Sequence, residues 1–322
     1  MKAIVARDFG PLEQLEYADW PEPEVKDREV VIEAEMIGVN YPDGLLVQGL
    51  YQMKPPVPFV PGMEVAGKVV AVGDKVTGLK VGDRVASVSS MGAYAEKVAA
   101  HEATVMKLPD AMSGEDACAL MCGFGTSHHA LKQRGQLKPG ETLCVLGASG
   151  ATGVAAVQIG KAMGATVIGV ASTEEKRAIA KDAGADVVLG YDNLKDALKE
   201  ATGGKGVDVA FDPVGGEAFD VLSRSMAWNG RLLVVGFASG AIPKLAVNLT
   251  LVKGYSVVGV FWGAFTAKEP AVYADNMKEL VGWYLQGKVK PVIEGVYPLE
   301  DAPSVLTRVL GRGAAGKIVL KP

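Results

Sequence analysis

The sequence predicts an α/β protein with two domains, a barrel-like β domain followed by a doubly wound parallel sheet. Up to about residue 115, short strand candidates are separated by Pro-Gly and Gly-Asp turn signals, which is typical of a compact β domain. From Leu143 to about Val258, apolar strand candidates alternate with helical segments. This alternation predicts a parallel sheet with right-handed crossovers.

The strand candidates follow one another in a regular order. Those of the first part are MKAIVA, VVIEAEMIGVN, VAGKVVAVG and DRVASV. Those of the second part are LCVLG, TVIGVA, DVVLG, VDVAFD, RLLVVGF and SVVGVFW. In the tail, a helix is predicted around Tyr273–Gln286, and the final strand, GKIVL, is expected to return to the first domain. The uncharged run from Leu143 to Gly160 contains four glycines, so we interpret it as strand, turn and helix rather than as a membrane span.

The composition argues against several classes of protein. Apolar residues make up 49% of the 322 residues and charged residues 22%, which excludes broad disorder. Lys and Arg total 33 against 37 Asp and Glu, so charge gives no reason to expect nucleic acid or a membrane as partner. The three cysteines, Cys118, Cys122 and Cys144, lie close together in sequence, which disfavours a disulfide framework and favours a reducing, cytoplasmic location.

The strongest chemical signal is a glycine loop between an apolar strand and an apolar helix. Glycine allows the backbone to approach a pyrophosphate, and the helix N-terminus presents N–H groups and a positive dipole end to it. A second strand follows at residues 166–171, as a dinucleotide-binding βαβ unit requires. The candidate pyrophosphate-binding residues are Gly147, Ala148, Ser149, Gly150, Ala151, Thr152 and Gly153.

The end of the second strand predicts which dinucleotide is bound. An NAD-selective site places an acidic residue there to bind the ribose hydroxyls, whereas this sequence has Ala171. Ser172 and Lys176 are candidate donors to the 2′-phosphate of NADPH. In an alternative role, which is compatible with the first, Ser172 and Glu175 form a capping box for the next helix.

The whole chain resembles the zinc-independent quinone oxidoreductases, which are similar to ζ-crystallin and belong to the medium-chain dehydrogenase/reductase superfamily. The resemblance rests on the glycine loop and on GVNYPDGLLVQGLY, PFVPGMEVAG, VGDRV, FDPVGG, NGRLLVVGFASG and GAAGKIVL. It implies a GroES-like β-barrel catalytic domain at residues 1–118, completed by residues 263–322. It further implies a Rossmann NADPH-binding domain at residues 119–262.

The resemblance also implies that this chain lacks the catalytic zinc of the related alcohol dehydrogenases. Asn40 stands where those enzymes have their first cysteine ligand, and Met63 replaces the histidine of their Gly-His-Glu motif. Cys122 lies near the third ligand position, but catalytic zinc needs three protein ligands. An unrelated metal site built from Cys118, Cys122, His128 and His129 is a less favoured alternative.

Further cofactor-binding residues are carried over from the family by motif. They are Thr126, Tyr191 near the adenosine phosphate, Gly236 and Phe237 beside the nicotinamide, Phe261 and Trp262 in the next loop, and the C-terminal Arg312 and Lys317. For Thr126 and the aromatic residues, packing in the core is the alternative role. For Arg312, a solvated position is equally open.

The reaction expected from the resemblance is hydride transfer from NADPH to a quinone or a conjugated enone. Tyr51, in a Gly-x-Tyr position where related enoyl-thioester reductases have a proton donor, and Asn40 are the candidate catalytic residues, although Tyr51 could also be a packing residue. Asp43 and Glu64 are expected to hold loops together. An enoyl-thioester reductase and a non-catalytic, crystallin-like or RNA-binding protein are the alternative functions. The resemblance also implies a homodimer, and the strand Ser256–Val260 could pair across its two-fold axis.

Overall fold

The computed structural model describes residues 1–89 and 91–322 and divides them into two compact units. The terminal unit contains Met1–Cys122 and Val292–Pro322, and the central unit contains Gly123–Pro291. Within the described residues, no helix is both long and apolar enough to cross a membrane.

The strands and helices are numbered in chain order. The strands are β1 (Lys2–Val5), β2 (Glu16–Asp19), β3 (Glu29–Gly38), β4 (Glu64–Val72), β5 (Arg84–Val88), β6 (Lys97–His101), β7 (Val105–Lys107), β8 (Thr142–Leu146), β9 (Thr166–Val170), β10 (Val187–Leu189), β11 (Val207–Asp212), β12 (Met226–Val234), β13 (Ser256–Gly259), β14 (Ile293–Pro298) and β15 (Lys317–Lys321). The helices are α1 (Tyr41–Val47), α2 (Gly114–Cys118), α3 (Gly125–His129), α4 (Ala151–Ala162), α5 (Glu174–Asp182), α6 (Leu194–Ala201), α7 (Gly216–Ser225), α8 (Asn248–Lys253), α9 (Trp262–Lys268), α10 (Pro270–Leu285) and α11 (Ala302–Leu310).

The terminal unit is built on a largely antiparallel sheet. Its strands follow the order β14-β15-β3-β4-β5-β7, and β6 also pairs with β3. Among the described residues of this sheet, only the β14–β15 pair is parallel. Strand β15 lies antiparallel to β3, with Val319 opposite Gly38, so the prediction that the last strand returns to the first domain is confirmed. Alternating inward residues of these strands, such as Ile32 and Ile37, form the core together with β1 and α11.

The central unit is a doubly wound parallel sheet, as predicted. Its six strands follow the order β10-β9-β8-β11-β12-β13, and all neighbouring strands are parallel. This is the order of the Rossmann fold, in which the direction of winding reverses between the first and fourth strands, here β8 and β11. Ligands of such sheets bind at the carboxyl ends of the strands at this switch point.

The predicted domain division differs from the observed one over residues 119–122, which lie in the terminal unit, and over residues 263–291, which lie in the central unit. Helix α10 is held there by polar contacts with the segment around α3. Glu279 is hydrogen-bonded to His128 at 2.9 Å, and the amide of Gln133 donates to the side chain of Asn276 at 2.9 Å. These pairs join positions more than 140 residues apart in sequence, so the local pattern of α10 does not reveal its partner.

The glycine loop packs so closely that two of its glycines have distinct structural roles. Gly147 adopts a left-handed conformation, with φ of 61°. A Cβ atom on Gly153 would lie 2.0 Å from the carbonyl oxygen of Gly147 and 2.8 Å from Cα of Ala148. These contacts are with backbone, which cannot rotate away, so α4 can start this close to β8 only with glycine at position 153.

We predict that Gly153→Ala destabilises the central unit by about 1–3 kcal/mol or more, because overpacked sites force backbone shifts. Gly282→Ala in α10 is the matched control, because its Cβ would meet nothing within 4 Å, and replacing a helical glycine stabilises by about 0.5–1 kcal/mol. Urea unfolding followed by circular dichroism measures both. Equal stability of the two variants would contradict the packing argument.

Candidate functional site

The glycine loop connects β8 to α4 and leaves an opening at its middle glycine. Gly150 is the N-cap of α4, and its N–H donates to the carbonyl of Gly147 at 3.0 Å. A Cβ on Gly150 would meet only that carbonyl oxygen, at 3.5 Å. Ala148 and Ser149 are buried, whereas Ala151 and Thr152 in the first turn of α4 are half-buried. The loop therefore provides the narrow backbone and the open N-terminal turn that a pyrophosphate needs.

The loop after β11 lies directly beside the glycine loop. Buried Asp212 accepts hydrogen bonds from the N–H groups of Val214 and Gly215, both at 2.8 Å, and burial raises the pKa of Asp212 although these two donors lower it. A Cβ on Gly147 would lie 3.3 Å from the Val214 side chain. The loops that follow β8 and β11 thus meet at the switch point of the sheet.

Gly236 and Phe237, predicted to lie beside the nicotinamide, belong to the same group of loops. The N–H of Gly236 donates to the Asp212 carbonyl at 3.3 Å. The Phe237 ring lies 3.1 Å from the position that a Cβ on Gly215 would take. The structure therefore brings Gly236 and Phe237 to the carboxyl edge of the sheet with the glycine loop.

The end of β9 matches the prediction only in part. Ala171 is buried and its N–H donates to the carbonyl of Leu189, while Ser172 is exposed. The residue that caps α5 is Thr173, whose Oγ1 accepts from the N–H of Lys176 at 3.2 Å. The alternative role of Ser172 as a helix cap is therefore wrong, because the helix begins one residue later than that role requires.

Tyr191 and Lys176 are both on this side of the central unit. Tyr191 follows β10, and its hydroxyl accepts a hydrogen bond from the N–H of Gly147 at 3.1 Å, so the side chain reaches the glycine loop. Lys176 is half-buried in the first turn of α5. The carboxyl ends of β8, β9 and β10 therefore carry the predicted residues for the adenosine end of the cofactor.

Thr126, Phe261 and Trp262 are placed differently from one another. Thr126 is half-buried in α3, and Phe261, at 54% exposure, is open to a ligand. Trp262 begins α9 and is buried against the backbone of Gly125, whose Cβ would lie 2.9 Å from the indole, and its ring centroid is 6.0 Å from that of Tyr273. This contact favours the packing role for Trp262.

In the terminal unit, Asn40, Glu64 and Lys317 form a buried polar cluster. Lys317 and Glu64 form an ion pair, and their side chains are 1% and 0% exposed. The Lys317 ammonium also donates to Oδ1 of Asn40 at 2.8 Å, and the carboxylate of Glu64 accepts from the N–H of Cys122 at 3.0 Å. Burial lowers the pKa of Lys317, but the charge and hydrogen bond of Glu64, together with Cys122 and Cys118, outweigh this effect, and the net direction is upward. Burial likewise raises the pKa of Glu64, against the lowering effect of Lys317, and we regard the pair as ionised because each charge directly faces the other.

Asn40 also contributes a buried amide nitrogen to this cluster. Its amide Nδ2 is buried and makes no hydrogen bond within residues 1–89 and 91–322, although the amide lies close enough to Glu64 to lower the pKa of that carboxyl. The backbone N–H of Asn40 donates to Asp43 at 2.8 Å at the start of α1. The side chain is thus held through its acceptor, and its donor faces the Glu64 carboxylate.

Asp43 and Tyr51 are the titratable groups next to this cluster. Fully buried Asp43 accepts from the Tyr94 hydroxyl at 2.9 Å, and burial raises its pKa to about 7, even though Asn40, Tyr94 and Lys317 lower it. Tyr51 is half-buried; burial raises its pKa, and negative charge on Cys122 or Asp43 raises it further. A tyrosine with a raised pKa is protonated at neutral pH and can donate.

The two C-terminal basic residues, predicted to lie near the cofactor, differ in burial. The side chain of Lys317 is buried and contacts Glu64 and Asn40, and its position near the cofactor stays a prediction. Glu64, far away in sequence, provides the partner that allows this lysine to be buried. Arg312 is exposed in the turn after α11, with φ of 59°.

The residues of the terminal unit do not fit a catalytic zinc. At two of the three positions that the resemblance assigns to zinc ligands, this chain has the amide of Asn40 and the thioether of Met63. The Lys317 ammonium, a cation, is hydrogen-bonded to Asn40. Among the described residues, no group of three or more His, Cys, Asp and Glu side chains could hold a metal ion. In the central unit, His128 is hydrogen-bonded to Glu279, and the ring of His129 stacks on that of Phe265 with the centroids 3.7 Å apart. Both histidines therefore have structural contacts.

We predict that Lys317→Met lowers the free energy of unfolding by about 3–5 kcal/mol, because it leaves the Glu64 charge buried without a partner. The double variant Glu64→Gln/Lys317→Met should lose much less than the sum of the single changes. Lys321→Met, at the exposed end of the same strand, is the control. Urea unfolding of these three variants and of the single variant Glu64→Gln gives the coupling energy between Glu64 and Lys317. A Lys317→Met protein as stable as Lys321→Met would contradict the prediction.

Comparisons with known proteins agree with this architecture. A family model of the alcohol dehydrogenase GroES-like domain matches residues 26–110, and a model of the zinc-binding dehydrogenases matches residues 151–280. The quinone oxidoreductase-like protein 2 of Rattus norvegicus is 37% identical over 93% of this chain and 86% of its own length. The quinone oxidoreductase of Homo sapiens is 34% identical over 99% of this chain and 97% of its own length.

A solved structure extends the comparison to the whole fold. The Escherichia coli quinone oxidoreductase, solved in complex with NADPH, superposes with a TM-score of 0.94 at 29% identity, covering 100% of both chains. The terminal unit thus contains the GroES-like domain and the central unit the Rossmann domain. The chain belongs to the quinone oxidoreductase branch of the medium-chain dehydrogenase/reductase superfamily and is an NADPH:quinone oxidoreductase-like enzyme.

Proposed function

We propose that this protein reduces quinones or other conjugated enones by hydride transfer from NADPH. The observation that carries the proposal is the open glycine loop beside strand β9, which is followed by Ala171 rather than by an acidic residue. A carboxylate at that position would repel a 2′-phosphate, and its absence removes the main selection for NADH. The NADPH complex of the Escherichia coli relative supports the same cofactor.

The residues of the central unit fit NADPH. The open space at Gly150 and the N-terminus of α4 suit the pyrophosphate, and Ser172, Lys176 and Tyr191 suit the adenosine phosphate. Gly236, Phe237 and exposed Phe261 provide backbone and aromatic surface for the nicotinamide end. When bound, the nicotinamide supplies the hydride.

The terminal unit provides donors for the acceptor. A quinone or enone oxygen becomes negative as hydride arrives at the conjugated system, and a positioned hydrogen-bond donor stabilises it. The protonated hydroxyl of Tyr51 and the Nδ2 of Asn40 are the two donors that we assign to this task. Tyr51 can also transfer its proton to the reduced enone. A reduced quinone depends less on this transfer, because its oxygens take protons from water.

NADPH oxidation with four acceptors tests the proposal. We expect turnover with 1,4-benzoquinone, 9,10-phenanthrenequinone and an alkenal, and much less with crotonyl-CoA. Preferred use of crotonyl-CoA would replace the proposal by an enoyl-thioester reductase. Tight NADPH binding without turnover of any acceptor would indicate a non-catalytic binding protein.

We predict that Tyr51→Phe lowers the turnover number on the alkenal by about 100-fold, because positioned general acids contribute roughly that much. The loss on 1,4-benzoquinone should be smaller, since its reduced oxygens take protons from water. Tyr17→Phe, an exposed tyrosine of the same unit, is the control. Steady-state rates with both acceptors measure the effect. Unchanged alkenal turnover would return Tyr51 to a packing role.

We also propose that the protein is a homodimer that works in a reducing compartment such as the cytoplasm. Strand β13 is an edge strand of the parallel sheet, with no neighbour on its outer side within the described residues. Exposed apolar side chains flank it in the same unit, namely Trp228, Ile242, Val247, Leu251 and Val252. A second copy could pair with this edge and cover these side chains. The three cysteines, which form no disulfide among the described residues, support the reducing compartment.

We predict that Leu251→Asp/Val252→Asp yields monomers, because two charges would be buried in the interface. Val81→Asp, which changes an exposed valine of the terminal unit, should leave the dimer intact. Sedimentation velocity at micromolar concentration measures the mass of each. A wild-type protein that sediments as a monomer would rule out the dimer.

A further inference from the structure

Arg177 is a cation at the adenosine end of the site that the sequence patterns did not single out. It lies in the first turn of α5, where its backbone N–H donates to the Thr173 carbonyl at 2.9 Å. Side chains in a helix lean toward its N-terminus, so Arg177 extends back over the start of α5. Its Nη1 lies 3.5 Å from the carbonyl oxygen of Ala171, at the end of β9.

The same guanidinium also borders the end of β10. A Cβ on Gly190 would lie 3.3 Å from Nη1 of Arg177, so the arginine lies beside the backbone that leads to Tyr191. Arg177 is therefore next to the position where an NAD-selective enzyme places its acidic residue. In NADP-selective sites of this fold, an arginine near that position accommodates the 2′-phosphate.

Most of the hydrogen-bonding capacity of Arg177 remains unused within the described residues. A guanidinium has five N–H donors, and the recorded contacts are the long hydrogen bond to Ala171 and an ion pair with Glu174 at 4.0 Å. Glu174 is 92% exposed, and such surface pairs contribute little, so a phosphate carrying nearly two charges competes with it easily. The side chain of Arg177 is 27% exposed, which leaves it accessible.

We infer that Arg177 binds the 2′-phosphate of the dinucleotide and is the main determinant of selectivity for phosphorylated cofactors, with Lys176 as a second, less directional cation. This inference rests on the proposed use of NADPH. A planar guanidinium can bind two phosphate oxygens at once, whereas an ammonium acts as a point charge. Arg177 thus supplies both the charge and the geometry that distinguish a phosphate from a hydroxyl.

Binding of cofactor fragments tests this role without depending on turnover. Calorimetry of the full-length protein with 2′,5′-ADP and 5′-AMP, and with NADPH and NADH, compares ligands with and without the 2′-phosphate. We expect Arg177→Gln to weaken the binding of 2′,5′-ADP and NADPH by about tenfold or more and to change that of 5′-AMP and NADH by less than about twofold. Arg177→Lys should lose about threefold to tenfold, since it keeps the charge without the fork.

Two controls separate a specific role from a general one. Lys205→Gln removes an exposed cation just before β11, at the amino edge of the sheet, and should leave all four affinities within about twofold. Lys176→Gln should weaken the binding of the two ligands with a 2′-phosphate, 2′,5′-ADP and NADPH, by less than Arg177→Gln does. Melting temperatures of all variants should match that of the wild type, because the substituted side chains are not fully buried.

The possible failures point to different errors. If Arg177→Gln weakens all four ligands equally, Arg177 only supports the loop at Gly190, and the inference is overturned. It is also overturned if the wild type prefers 2′,5′-ADP and Arg177→Gln retains that preference. If the wild type binds 5′-AMP as tightly as 2′,5′-ADP, the proposed use of NADPH is itself wrong, and the role of Arg177 falls with it.

Discussion

The close approach of Gly153 to the carbonyl of Gly147 is the constraint on which the nucleotide site depends. A Cβ at position 153 would lie 2.0 Å from that oxygen, so only glycine lets α4 begin directly against the end of β8. This contact fixes the direction of the helix N-terminus and leaves the space at Gly150 open. The two neighbouring loops contact Gly147, one through the Val214 side chain and the other through the Tyr191 hydroxyl. One backbone contact thus organises three strand ends.

The terminal unit is organised by charge rather than by close backbone packing. The buried ion pair between Glu64 and Lys317 joins β4 to β15 and also holds the amide of Asn40 and the backbone of Cys122. A buried pair of this kind is weak support for stability in itself, but removing one partner is costly. Its main consequence is therefore geometric. It holds the side chains of three separate segments, and the backbone of a fourth, in one arrangement.

Local patterns predicted most of the fold and the nucleotide loop, because strand, glycine loop and helix are encoded within about thirty residues, as is usual for βαβ units. The same reasoning was less successful where partners lie far apart. Nothing near Lys317 in sequence reveals its ion pair with Glu64, and residues 263–291 were assigned to the first domain because the contact of Glu279 with His128 spans 151 positions. Trp262 was expected in a cofactor-facing loop, and only the structure shows that it faces Gly125.

Arg177 shows a different reason for such a failure. In sequence, Lys176 and Arg177 are adjacent cations of a helix start, and nothing distinguishes their directions until the N-cap is known to be Thr173. A shift of the helix start by one residue turns each side chain by about 100°, since a helix has 3.6 residues per turn. With Thr173 as the cap, Arg177 is the residue that faces the ends of β9 and β10. The position of the N-cap, which depends on local hydrogen bonds, therefore determines which of the two cations faces the proposed 2′-phosphate site.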